Sequence, residues 1–173
     1  MNRRLLIIVL MACLLPLGMQ AQQGTFRFAQ LTDIHLTPNN PNPTEDLLRS
    51  VAQINATDSI DFVLVTGDLT EEGDRTTMEK VKSCLDLLKV PYHVVLGNHE
   101  TKWSDSGCTA FGEIFGGERF EFEHKGFLFL GFNSGPLMRM AYGHVVPQDI
   151  RWMTEEMLSL IHISEPTRPI SIS

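Results

Sequence analysis

Several shortages in the sequence each remove a class of explanation. Among 173 residues there are only 14 lysines and arginines against 21 aspartates and glutamates, a formal charge of −7. Nucleic-acid binding draws on a basic face that meets phosphates, and none is visible here. No apolar run reaches the roughly 18–20 residues that a membrane-spanning helix needs. Cysteine is scarce, with three residues in all. No internal repeat or low-complexity stretch occurs, which excludes solenoids and fibrous arrays. What remains is an ordinary globular composition, 43% hydrophobic and 20% charged.

Both ends of the chain differ from its middle. Residues 1–21 have the pattern of an export signal: Arg3 and Arg4 form a positive start, Leu5 to Leu17 is apolar apart from Pro16, and small Ala21 precedes the cleavage point. The run is too short to be a membrane anchor, and Leu10-Met11-Ala12-Cys13 is a poor lipidation signal. The expected location is therefore periplasmic or secreted. At the other end, Leu158 to Arg168 matches the translation of a transposase-type sequencing adapter, and the match continues to Ser173. Residues 158–173 are thus expected to be a non-native tail, with the natural gene product running on past Met157. The segment between, 22–157, has 11 basic and 20 acidic side chains and two cysteines, Cys84 and Cys108. Cys84 shares the apolar face of a helix and reads as a buried thiol; pairing with Cys108 cannot be read from spacing.

The middle segment alternates strand and helix. Thr25–Thr32 reads as a strand. Asn42 is the expected N-cap of a helix with Pro43 in its first turn, Glu45 closing a capping box, and Leu47, Leu48, Val51 and Ile54 along one face. Asp61–Thr66 reads as a short strand whose centre, Phe62-Val63-Leu64-Val65, is apolar enough to be buried on both sides. Thr76 and Glu79 should start a second helix with Met78, Val81, Leu85 and Leu88 facing inward, ended by Pro91. Tyr92–Leu96 reads as a third buried strand. Phe120–Phe122 and Phe127–Phe132 suggest two more strands, and Gln148–Met157 a final helix. This order makes the chain an α/β protein with a mainly parallel βαβαβ core and right-handed crossovers. In such sheets ligands bind at the carboxyl ends of the strands.

Each of the first three strands ends in side chains fit for metal or proton chemistry. Asp33-Ile34-His35 follows the first, Gly67-Asp68 the second, and Gly97-Asn98-His99-Glu100 the third. One such residue after a strand is usually a turn or cap. Three sets in register converge carboxylates, an amide and imidazoles on one edge, with Gly67 and Gly97 expected to give tight turns. The pattern resembles the calcineurin-like metallophosphoesterases, whose signature runs D-x-H, G-D, G-N-H-D/E, a lone histidine and G-H-x-H. The first three elements are present and the resemblance covers residues 26–157. The last two are absent and would fall beyond Met157.

The resemblance implies the N-terminal half of an αββα sandwich, two divalent or trivalent metal ions (manganese, iron or zinc), and hydrolysis of small-molecule phosphate esters by a metal-bridging hydroxide. It implies that Asp33 and His35 bind the first metal, Asp68 bridges both, and Asn98 binds the second through its amide oxygen. His99 would face the phosphate as acid or charge stabiliser, and Glu100 would orient the loop. With three family histidines missing, the chain alone is expected to be inactive and its fourth and fifth strands to expose apolar faces. A non-catalytic domain that binds phosphate or a protein is the other reading, disfavoured because all five site residues are intact. His144 lies too early to be the lone histidine and reads as a loop residue near the rim. His162 falls in the expected tail. His93 and His124 read as structural, and Trp103-Ser104-Asp105 as a surface loop.

Overall fold

The structure is a computed structural model that describes residues 24–136 and 142–164. The expected export signal and the tail beyond residue 164 lie outside the described residues. Strands β1 (Phe28–Leu31), β2 (Phe62–Thr66) and β3 (Tyr92–Val95) form a parallel sheet in that order. Helices α1 (Asn42–Ala56) and α2 (Arg75–Leu85) make the crossovers. Two short helices, α3 (Asn98–Lys102) and α4 (Thr109–Phe115), follow β3. Strands β4 (Phe120–His124) and β5 (Phe127–Gly131) pair as an antiparallel hairpin, and α5 (Pro147–Ser164) closes the described chain.

The two faces of the parallel sheet are packed differently, and residue alternation decides which is which. Val63 and Val65 point to the helical side, where they are fully buried with Leu47 and Val51 of α1 and with Met78, Val81 and Leu85 of α2. Phe111 of α4 completes that core. Phe28, Phe62 and His93 point to the other side, where Phe62 and His93 meet the hairpin and Phe28 stacks on Phe62. Phe62 packs against Phe122 and Phe129 with ring centroids 5.0 Å away in each case, and His93 stacks on Phe122 at 3.8 Å. Helices, parallel sheet and hairpin thus form successive layers, as in the N-terminal half of the metallophosphoesterase sandwich. Phe120, Phe122 and Phe129 are half-buried by this contact rather than bare, and Phe127 is the large apolar side chain of the hairpin strands that stays exposed.

Several local expectations are corrected. β1 is four residues long because Thr25–Arg27 makes no ladder beyond a single bond from Asp61 N–H to Arg27. The N-cap of α1 is Pro41, not Asn42, and the Asn40 side chain accepts from the Asn42 amide at 3.0 Å. The N-cap of α2 is Asp74 rather than Thr76: its carboxylate accepts from Thr77 N–H at 2.9 Å, a stronger cap than a hydroxyl two residues later. That helix ends at Leu85, six residues before Pro91. β3 is only half-buried throughout because it is the sheet edge. α5, expected over Gln148–Met157, spans Pro147–Ser164. Cys84 and Cys108 are both buried and free. Burial raises both thiols, Cys108 to about 11.

Asp61 ties the sheet to the hairpin. Its carboxylate accepts from Lys125 Nζ at 2.8 Å and from the Arg27 amide at 2.9 Å, and it sits 3.2 Å from His124 Nε2. The Lys125 hydrogen bond, then the Arg27 amide, holds its carboxyl at about 2 against an ordinary 3.8. A carboxyl lowered by folding adds stability that is complete above its unfolded value and is lost as pH falls through the folded one. Acid titration of stability should therefore show a loss between about pH 4 and pH 2 to which this group contributes. Asp61→Asn should flatten that part of the curve, measured by urea midpoints at stepped pH; an unchanged slope would contradict the coupling.

Candidate active site

The three expected clusters do meet at the carboxyl edge of the parallel sheet, and the loops that carry them are laced together. After β1, the amides of Asp33, His35 and Leu36 donate to the carbonyls of Gly67, Asp68 and Leu69 at 3.3, 3.0 and 3.0 Å. This continues the sheet's pairing past the strand ends. The loops after β2 and β3 are joined by Glu100, which is fully buried. One of its oxygens accepts from Thr70 N–H at 3.0 Å and the other from Gly97 N–H at 2.9 Å. Burial raises the Glu100 carboxyl, opposed by those same hydrogen bonds. A buried carboxylate that accepts from both loops holds them together.

Asp33, His35 and Asp68 adopt positive φ angles of 52°, 49° and 50°. The left-handed region is costly for residues with a Cβ, and such strain collects at functional positions. It is held here by the bonds between the loops and turns all three side chains to one spot, with ligand atoms within 4.8 Å of one another. Two carboxylates and an imidazole suit manganese, iron or zinc, so the donors fit the metal implied by the sequence pattern. Asp33, Asp68 and Asn98 border a 570 Å³ depression, with Lys102 and Gly135 on its rim. Asn98 also borders the adjoining 820 Å³ groove, where His99 lies with Trp103 and Asp105. His99 donates its main-chain N–H to Asp68 Oδ1 at 3.1 Å, and its Nδ1 lies 2.6 Å from the Glu71 carbonyl.

The two glycines act differently. Gly67 has φ +92°, a turn that needs glycine. Gly97 does not adopt a left-handed angle; its φ is −104°. It is required because a Cβ there would lie 2.1 Å from Asp68 Oδ1 and 2.2 Å from the Asp68 amide nitrogen. The close approach of the second and third loops is thus the reason for this glycine.

Other expected positions fall elsewhere. His144 lines a 620 Å³ cavity with Thr101, Cys108, Arg119 and Asp149 that contains none of the candidate ligands. Its Nδ1 is buried without a hydrogen-bond partner among the described residues. His93 is stacked in the aromatic layer and His124 sits beside Asp61, both structural positions. Trp103 caps α3 and is half exposed, with Lys102 Nζ 4.8 Å from its ring centroid. His162 lies on α5, and its side chain is outside the described residues. Glu71 and Gly135 border these depressions, and Thr70 is buried beneath them against Glu100; the sequence pattern did not single out any of the three. A lone glutamate three residues after Asp68 carries no spacing signal, because its partners come from other loops.

The chain belongs to the calcineurin-like phosphoesterase family, whose model matches residues 26–163. It is 33% identical over 97 residues to a probable cyclic nucleotide phosphodiesterase of Rhodopseudomonas palustris, covering 53% of this chain and 33% of that protein. It is 24% identical over 139 residues to a 3',5'-cyclic-nucleotide phosphodiesterase of Nostoc, covering 76% of this chain and 51% of that one. It is 29% identical over 120 residues to human tartrate-resistant acid phosphatase type 5, covering 62% of this chain and 37% of that one. The chain spans about half, or less, of the length of these relatives. The family and these relatives support a phosphoester hydrolase.

The glycine contact is directly testable. Gly97→Ala should push Asp68 aside and cost roughly 1–3 kcal/mol of stability by overpacking. Gly112 in α4 meets nothing within 4 Å, so Gly112→Ala should instead stabilise by up to about 1 kcal/mol. Urea denaturation of both variants gives the comparison. Equal effects would mean that the approach of the loops does not constrain position 97.

Proposed function

We propose that the full-length protein is an exported, two-metal phosphoesterase acting on small-molecule phosphate esters. The observation that carries this reading is the convergence of Asp33, His35 and Asp68, all in left-handed backbone, within 4.8 Å at the carboxyl edge of the sheet. In the reading, Asp33 and His35 hold the first metal, Asp68 spans both, and Asn98 contributes to the second. Manganese, iron or zinc suits this donor set. When bound, such ions lower the pKa of water and stabilise charge on phosphoryl oxygens. His99 has Nδ1 committed to the Glu71 carbonyl, which leaves its second ring nitrogen to meet a phosphoryl or leaving-group oxygen. Lys102 adds a positive charge to a rim otherwise acidic. The names of the relatives support both phosphodiester and phosphomonoester substrates. Export is supported by Arg3, Arg4 and the apolar run that follows them.

Chelation of the full-length protein should abolish hydrolysis of a phenolic phosphate ester, and manganese should restore it. Full activity after rigorous metal removal would overturn the reading. Asp68→Ala should lower metal content more than the other ligand substitutions, because one carboxylate serves both ions. His99→Ala should keep its metal and lose roughly 10²–10⁴-fold in rate. Loss of metal from that variant would contradict the role given to His99.

A further inference from the structure

We infer that Glu71 is a positioning residue: its carboxylate fixes the ring of His35 so that Nε2 faces the metal position. The inference rests on the reading of Asp33, His35 and Asp68 as ligands. His35 Nδ1 lies 3.0 Å from Glu71 Oε2. A carboxylate only accepts, so the shared proton belongs to Nδ1. The neutral ring then carries its lone pair on Nε2, which lies 3.8 Å from Asp33 Oδ1 on the side of the ligand cluster. A neutral imidazole left to water prefers the opposite tautomer, with the proton on Nε2 and no lone pair to offer there. Glu71 thus supplies what a metal-binding histidine needs from its outer partner.

The geometry gives Glu71 little freedom to do anything else. Its main-chain N–H donates to Leu36 O at 2.9 Å, one residue beyond His35. Its carbonyl lies 2.6 Å from His99 Nδ1. The His35 and His99 rings meet edge to face, centroids 4.6 Å apart. The backbone of Glu71 is therefore pinned on both sides, and its carboxylate is aimed at the one ring nitrogen of His35 that faces away from Asp33. Glu71, His35 and His99 also lie close enough for their ligand atoms to share an ion. Such an ion would need the Nδ1 lone pair and would leave Nε2 protonated against Asp33 and Asp68, so the two arrangements differ in a measurable proton position. Half of the Glu71 side chain is exposed, so its replacement removes no core contact.

The test uses the full-length, metal-free protein and long-range 15N–1H correlation spectra of its histidine rings at about pH 8, where an ordinary imidazole is neutral. His35 should show the Nδ1–H form. Glu71→Ala should return it to the Nε2–H form, and Glu71→Gln should keep Nδ1–H through its amide oxygen. Manganese titration should then find about 10–100-fold weaker binding in Glu71→Ala and close to wild-type binding in Glu71→Gln. Thermal midpoints check that both variants fold. An Nε2–H ring in the wild type, or undiminished manganese affinity in Glu71→Ala, overturns the inference. A wild type that binds no manganese overturns the ligand reading beneath it, and the spectra then still distinguish that failure from loss of the hydrogen bond.

Discussion

The carboxylate of Glu100 lies sealed from solvent between the loops that follow β2 and β3 and joins them. It takes the amide of Thr70 on one oxygen and the amide of Gly97 on the other. A buried charge is costly unless every lone pair is used, and here the donors come from the loops that bear Asp68 and Asn98. Removing either donor would leave the charge unpaid. The rim is therefore constrained from below, and the bonds that lace the first loop to the second constrain it from the side. Strained residues persist only under such constraint. The left-handed angles at Asp33, His35 and Asp68 persist within this bracing, and the same close approach leaves no room for a Cβ at position 97.

The remainder of the fold serves to hold that edge still. Val63 and Val65 are wholly buried against α1 and α2, while Phe62 is locked on the other face by Phe122 and Phe129. β2, which delivers Asp68, is the central strand and has a paired neighbour on each side. β1 and β3 are edge strands within the described sheet, and their site loops depend on cross-loop bonds for order. This explains why the bracing concentrates where strand pairing gives out.

Much of this was legible from sequence because short apolar runs and the residues that follow them obey strong local rules. Phe62–Val65 before Gly67-Asp68 could hardly be anything except a buried strand ending at a site. Residues whose meaning depends on distant partners were harder. Asn42 looked like a cap, yet the chain turned one residue earlier and Asn40 took the bond. Thr76 carried a capping-box pattern, and the stronger carboxylate of Asp74 prevailed. Gly97 was legible as necessary but for the wrong reason, since its neighbour is Asp68 and not its own torsion. Glu71 had no local signature; its significance comes from His35 and His99, which lie 36 and 28 residues away along the chain.

The central claim is that the edge built by these loops is a metal site. Anomalous diffraction from crystals of the full-length protein grown with manganese tests it most directly. The expected result is a peak bounded by Asp33, Asp68 and Nε2 of His35, with a second peak on the Asn98 side of Asp68. Manganese found only at other positions, or a rim without anomalous density at saturating manganese, would contradict the account.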